Sequence, residues 1–334
     1  MKLVFCGTPQ FAVPTLQALL AAGHEVAMVV SQPDRRVGRE QLLTAPPVKQ
    51  AALAAGIPVV QPEKIRANEE FRAQLEAIKP DAIIVVAYGR IIPPWMLALP
   101  RLGCINLHAS LLPKYRGAAP IQWAVARGET ITGNTTMLLE EGLDTGPILL
   151  QQAFAIVPEM TAVSLFEELA LAGAPLVVQT LAGLDDGSIQ PQPQNHENAT
   201  LAPILTREDG RMDFGTHTAV ELKNRWRGFQ PWPGAFTALG GKKLIVHRME
   251  VRDQGSGNRE QGTGNRDQGS GIRKEMLFEP GQIHVEGNRL FVACAQKSWL
   301  ELVEVQLEGK KRIAAGDFLR GNALKDGARL GAAE

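Results

Sequence analysis

The sequence has little cysteine. Cys6, Cys104 and Cys294 are three in 334 residues, scattered and odd in number, with no Cys-x-x-Cys pair. That pattern argues against a disulfide framework and a structural zinc site, and it suits a reducing compartment. No apolar run approaches the roughly 18 residues needed to span a bilayer. The opening Met1–Gly7 is too short an apolar stretch for a secretory signal, and reads instead as a first buried strand. No G-x-G-x-x-G follows that strand, so a dinucleotide site has no support. Net charge is also missing, with 35 Lys and Arg against 35 Asp and Glu. The balance hides an asymmetry: residues 1–200 carry 14 basic and 18 acidic side chains, residues 201–334 carry 21 and 17. A modestly basic C-terminal part could help to hold a polyanion, but uneven surface charge accounts for the numbers equally well. What remains is an ordinary globular composition, 45% hydrophobic and 21% charged, in a chain long enough for two domains.

The first half alternates short apolar runs with helical periodicity. Strands are expected at Lys2–Cys6, Glu25–Val30, Asp81–Ala87 and Gly103–His108, and helices at Phe11–Ala22, Val48–Ala55, Glu69–Ile78 and Pro120–Arg127. This alternation implies a Rossmann-like α/β fold, a mostly parallel sheet with helices on both faces. Ligands bind beyond the carboxyl ends of such strands, which directs attention to Gly7–Pro9, Ser31–Arg39, Tyr88-Gly89, His108–Gly117 and Glu140–Gly146. Thr161–Leu184 reads as a long amphipathic helix. The Gly-, Pro- and Gln-rich stretch 185–206 reads as a linker between a first domain, 1–184, and a second, 207–330. In the second, a helix at Thr216–Arg227, five short strands and a last helix at Ala314–Arg320 suggest a small β-barrel or sandwich. Asp253–Arg273 is three copies of a seven-residue unit with two glycines and almost nothing apolar, which reads as a disordered insert. One Arg per unit would also fit an RNA-contacting arm.

Asn106 and His108 lie two apart at the end of an expected strand, so their side chains share one face. A neutral amide donor beside an imidazole at a strand end is a candidate for chemistry. Ser110-Leu111-Leu112-Pro113 and Lys114-Tyr115-Arg116-Gly117 follow, and further on Asp144 stands between Gly142 and Gly146. With these motifs the chain resembles the folate-dependent formyltransferase family. The resemblance covers nearly the whole chain and includes Gln32–Arg35, Val86–Gly89 and Phe229–Pro233. It implies Asn106, His108 and Asp144 as the catalytic group. It also implies 10-formyltetrahydrofolate as formyl donor, bordered by Tyr88, Ser110, Leu111, Leu112, Pro113 and Leu139. The residue types suit the reaction: amide and imidazolium donors stabilise an oxyanion developing on the formyl group, and a carboxylate takes the proton of the attacking amine or orients the histidine. No metal is expected, because His108 and Asp144 lack a third ligand at metal-site spacing.

Within the family the chain is most similar to members that formylate the methionine carried on initiator tRNA. That likeness implies RNA contacts from Arg35, Arg36 and Arg39 in the loop Asp34–Pro47, and from Lys310, Lys311 and Arg312 in a second domain of the oligonucleotide-binding (OB) type. Gly38-Arg39-Glu40-Gln41-Leu42 has fewer cations than related loops, which should flatten the salt dependence of binding. Lys114-Tyr115-Arg116 also resembles enzymes that formylate amino-sugar nucleotides, the enzymatic alternative. A non-catalytic RNA-binding protein is the alternative of another class, and the joint presence of Asn106, His108 and Asp144 argues against it. A cytoplasmic monomer, with no membrane partner, is expected.

Overall fold

The computed structural model describes residues 1–38, 41–252 and 278–331. Arg39 and the repeat Asp253–Arg273 lie outside them. The chain forms two compact units, one of Met1–Val125 with Glu129–Ile204, the other of Ala126–Gly128 with Leu205–Glu334.

The first unit is built on strands β1 (Lys2–Gly7), β2 (Glu25–Val30), β5 (Val59–Val60), β6 (Ala82–Val86), β7 (Cys104–His108), β8 (Ile131–Leu138) and β9 (Ile148–Ala155). Between β2 and β5 a separate hairpin pairs β3 (Arg35–Val37) with β4 (Leu42–Thr44). The main sheet runs β5-β2-β1-β6-β7-β8-β9. Its first five strands are parallel, whereas β8 runs antiparallel to both β7 and β9. β6 is central because Ala82-Ile83-Ile84-Val85-Val86 is buried at every position, as a strand covered on both faces must be. α1 (Val13–Ala21), α2 (Pro47–Ala54), α3 (Glu69–Ile78), α4 (Pro94–Leu97), α5 (Pro120–Ala126) and α6 (Ala162–Asp185) complete the unit. Four of the seven strands and most helices fall where the sequence suggests.

β5, β8 and β9 are additions to that expectation, and β8 is the instructive one. The reason is chemical: β8 buries Thr132, Asn134, Thr135 and Thr136, so an apolar-in, polar-out pattern is absent. Thr135, Thr136 and the Asn134 NH2 group bond inside the fold, whereas Thr132 Oγ1 and Asn134 Oδ1 have no partner among the described residues. Asn134 Nδ2 donates to the Leu169 carbonyl at 2.8 Å, and the hydroxyls of Thr136 and Thr180 meet at 2.8 Å. α6 begins at a capping box between Thr161 and Ser164. By length and composition it is long and apolar enough to cross a membrane, contrary to the expectation that no apolar run approaches that length, because its apolar residues extend past Glu167 and Glu168. Here Leu165, Leu169, Val177 and Leu181 are fully buried in the sheet's core. Each contributes about 1.5–3 kcal/mol of transfer free energy.

The stretch expected to be a linker is grouped with the first unit as far as Ile204. Gln192 exchanges backbone hydrogen bonds with Ile148 at 2.8 Å, and Arg116 and Ala202 are joined by a 2.7 Å bond from the Ala202 amide.

The second unit carries α7 (Ala219–Gly228), strands β10 (Phe236–Leu239), β11 (Lys242–Val251), β12 (Ile283–Glu286), β13 (Arg289–Ala293), β14 (Trp299–Leu307) and β15 (Ile313–Ala314), and α8 (Ala315–Asn322). Its antiparallel sheet runs β10-β11-β14-β13-β12, with β15 paired to β14. Leu244, Val246, Leu290, Leu300, Leu302 and Phe318 fill its own core. All three cysteines are buried, and burial pushes the thiols of Cys104 and Cys294 up to about 12. They are packing residues, not nucleophiles.

Candidate active site

β7 places the first two site residues. Ile105 and Leu107 turn into the core while Asn106 and His108 take the opposite face. Asn106 is half-buried, and its amide makes no hydrogen bond among the described residues. His108 is buried, with Nε2 2.9 Å from the Tyr115 carbonyl oxygen. A carbonyl only accepts, so Nε2 carries the hydrogen and Nδ1 is the ring position left for exchange. Nδ1 faces Asp144 Oδ2 at 3.7 Å, an electrostatic contact slightly too long for a hydrogen bond.

Asp144 arrives by an indirect route. β8 ends at Leu138, level with Ile105 on β7, so the loop 139–147 must come back along the sheet to reach His108. It does so with Asp144 at φ 50°, a left-handed conformation that Asp tolerates better than most residues. Gly146 lets the loop close tightly, since a Cβ there would stand 1.9 Å from the Leu138 carbonyl oxygen. The carboxylate is held by the Gly117 amide, which donates to Oδ2 at 2.8 Å. The backbone is held by Gln194, whose Nε2 donates to the carbonyls of Asp144 at 2.9 Å and Gly146 at 2.7 Å.

Ser110–Pro113 is anchored from below by Thr135. Its hydroxyl donates to the Ser110 carbonyl at 2.6 Å and accepts from the Leu112 amide at 3.1 Å and from Gln151 Nε2 at 2.9 Å. Ser110 Oγ is committed to the Lys114 carbonyl at 2.7 Å, so its hydroxyl shapes the loop. Leu112 is buried, whereas Leu111 and Pro113 remain half-buried. Tyr88 turns its ring into the core with Cys6 and Cys104, and burial pushes its hydroxyl above its ordinary range. Its carbonyl is taken by Thr8 Oγ1 at 3.1 Å and Gln32 Nε2 at 3.2 Å. A ligand would meet the loop after Tyr88 and not the ring. Leu139 is half-buried on the same core and fixed by its amide to the Cys104 carbonyl at 2.8 Å. Two large apolar side chains in the segments flanking this region stand open, Ile91 at 89% exposure and Leu143 at 65%.

Motif reading misses the backbone groups and the braces. The Tyr115 carbonyl, the Gly117 amide, Thr135 and Gln194 lack any sequence signal of their own. Tyr115 itself is buried and donates to Glu129 Oε1 at 2.6 Å. The side chain that raised the amino-sugar alternative is therefore a packing group.

The other basic candidates are spread out. Arg35 and Arg36 are exposed on the β3–β4 hairpin beside Leu42 and Leu43, themselves 62% and 69% exposed. Lys310 and Lys311 are exposed after β14, while Arg312 is paired with Glu304 and holds that carboxyl below its usual range. Among the described residues no group of three or more His, Cys, Asp and Glu is arranged to hold a metal ion.

Comparison with known proteins supplies two family matches. A formyl transferase model matches residues 1–181, and a formyl transferase C-terminal domain model matches residues 204–323. A protein of Acidobacterium capsulatum named methionyl-tRNA formyltransferase is 64% identical over 99% of this chain and 100% of its own length. One of Koribacter versatilis with the same name is 54% identical over 99% of each chain. Among solved structures, the sugar 3N-formyl transferase WlaRD superposes with a TM-score of 0.60 at 17% identity, covering 93% of this chain and 99% of that one. HypX from Aquifex aeolicus in complex with tetrahydrofolic acid gives 0.58 at 16% identity, covering 98% of this chain and 48% of that one. At such identities these structures speak for the fold alone.

Proposed function

The chain belongs to the formyl transferase family, and on that premise we propose that it transfers a formyl group from 10-formyltetrahydrofolate to the α-amino group of methionine on initiator tRNA. The observation that carries this reading is end-to-end similarity, at 64% and 54% identity, to relatives named for that activity. The product, N-formylmethionyl-tRNA, serves translation initiation, and the enzyme works as a cytoplasmic monomer.

The folate supplies the formyl carbon when bound. The residues here fit it: a half-buried amide without an internal partner, a loop fixed by Thr135, and the open apolar side chains Ile91 and Leu143 that a flat ring would cover. Tyr88 and Leu139 through their loops, and Ser110, Leu111, Leu112 and Pro113 through theirs, would border it. Asn106 donates where negative charge grows on the formyl oxygen, and His108 adds a donor through Nδ1 when protonated. Asp144 stands by Nδ1 to orient the imidazole and to accept, through water, the proton that the attacking amine must lose. Arg35, Arg36 and Arg39 position the acceptor end of the tRNA. Lys310, Lys311 and Arg312 add contacts from a second domain of the OB type, where the pairing of Arg312 with Glu304 leaves the two lysines the freer cations.

The test is direct. Purified protein receives 10-formyltetrahydrofolate with either charged initiator tRNA or an amino-sugar nucleotide. Formyl transfer to the tRNA and not to the sugar is expected, and the reverse would refute the reading.

A further inference from the structure

Tyr115-Arg116-Gly117 grips both reacting side chains. The Tyr115 carbonyl sets the hydrogen on His108, and the Gly117 amide holds Asp144. Arg116 between them points away, buried to 7% exposure, and donates to Gln194 Oε1 from Nε at 3.2 Å and Nη2 at 2.6 Å. Nη2 also meets His196 Nδ1 at 3.1 Å. Gln194, 6% exposed, spends its other end on the carbonyls of Asp144 and Gly146. The amide is therefore used at both ends, with Arg116 fixing its orientation and its NH2 group restraining the left-handed turn that carries Asp144. The same stretch of chain locks the tripeptide from outside. Thr200 Oγ1 accepts from the Tyr115 amide at 2.9 Å, and the Thr200 carbonyl accepts from the Arg116 amide at 2.8 Å.

We infer that Gln194 is a positioning residue for the transfer step: it acts through Asp144, holding the carboxylate in register with His108. The inference rests on the formyl-transfer reading above. A bare loop could place Asp144 near His108, but a non-glycine residue at φ 50° needs surroundings that over-determine it. Gln194 supplies two of the restraints on that turn, at its first and third residues. Nothing in the geometry lets Gln194 touch a substrate, since both ends are occupied inside the fold.

Gln194→Glu separates positioning from packing. It keeps oxygen acceptors for Arg116, now as an ion pair, and removes the donors to Asp144 and Gly146. The expected result is a folded protein whose kcat falls about 10- to 100-fold, the size of a misplacement near 1 Å, with KM for both substrates within about twofold of wild type. Gln194→Met, of similar volume and also without those donors, is read the same way should the first variant not fold. In an Asp144→Asn background either change should add almost nothing, because both act on one group. The inference is overturned by unchanged kcat, by a loss confined to KM, or by a loss of equal factor in the Asp144→Asn background. It is also overturned if neither variant folds, which would make Gln194 a folding residue. The wild-type assay comes first: if it shows no transfer to charged initiator tRNA, the functional reading fails independently of any variant.

Discussion

Thr135→Val tests whether the loop Ser110–Pro113 is held by one hydroxyl. Valine nearly matches threonine in shape, so the change removes hydrogen bonds with little change in volume. Thr135 is fully buried and its hydroxyl serves the Ser110 carbonyl, the Leu112 amide and Gln151. Gln151 keeps a second partner in the Leu112 carbonyl at 2.9 Å. The Ser110 carbonyl and the Leu112 amide lose theirs. Each backbone group left unpaired inside the fold costs about 1–3 kcal/mol, so the expected loss is about 2–5 kcal/mol after partial relaxation. For a unit of this size that lowers the melting temperature by about 4–20 °C. Calorimetry should place the shift in the transition of the first unit. The freed loop should also raise KM for 10-formyltetrahydrofolate at least about threefold, because ordering it becomes part of binding. Thr135→Ser keeps the hydroxyl and should cost less than about 1.5 kcal/mol, the usual price of one methyl group. A Thr135→Val protein that melts within about 2 °C of wild type with unchanged KM would refute the reasoning.

Other outcomes follow from the same geometry. Asn106→Ala and His108→Ala should each lower turnover by about 10²- to 10⁴-fold with folate binding little changed, measured by steady-state kinetics and equilibrium titration. Replacing Arg36 and Arg39 together by alanine should raise KM for charged tRNA more than it lowers kcat, and should flatten the salt dependence of KM; equal slopes for variant and wild type would count against the role. Asp81 accepts from the Lys2 amide and from Arg101 Nε, each at 2.7 Å, and these bonds, the Lys2 amide first, hold its carboxyl below the usual range. A depressed carboxyl stabilises the fold above its unfolded value of about 3.9 and loses that contribution as pH falls through the folded value. Wild type should therefore melt above Asp81→Asn near neutral pH, and the gap should close as pH drops below about 4. A gap independent of pH would show that the charge does not matter.

Much of the first unit is legible because its strands are apolar throughout or alternate cleanly. Ala82–Val86 has one reading, and Asn106 and His108 fall on one face by a period of two. The adjoining β8 is not legible, because it buries threonines and an asparagine whose partners lie on α6 and in the Ser110 loop, far off in sequence. The trio Asn106, His108 and Asp144 can be read from motifs. What orients it cannot, because the Tyr115 carbonyl and the Gly117 amide are main-chain groups that any residue supplies. Gln194 sits in a Pro- and Gln-rich stretch whose composition is that of a connector, and only the fold reveals that the stretch packs back on the first unit.

That return of residues 189–202 bears on how the protein can be cut. A fragment ending at Asp185, where α6 stops, would retain every strand of the main sheet and all of Asn106, His108 and Asp144. It would nevertheless lack Gln194, Thr200 and Ala202, and with them the outer restraint on Arg116 and one side of the turn carrying Asp144. The boundary of the sheet and the boundary of the compact unit are thus different places in the chain. A fragment that keeps these restraints on Arg116 and Asp144 has to extend at least to Ala202.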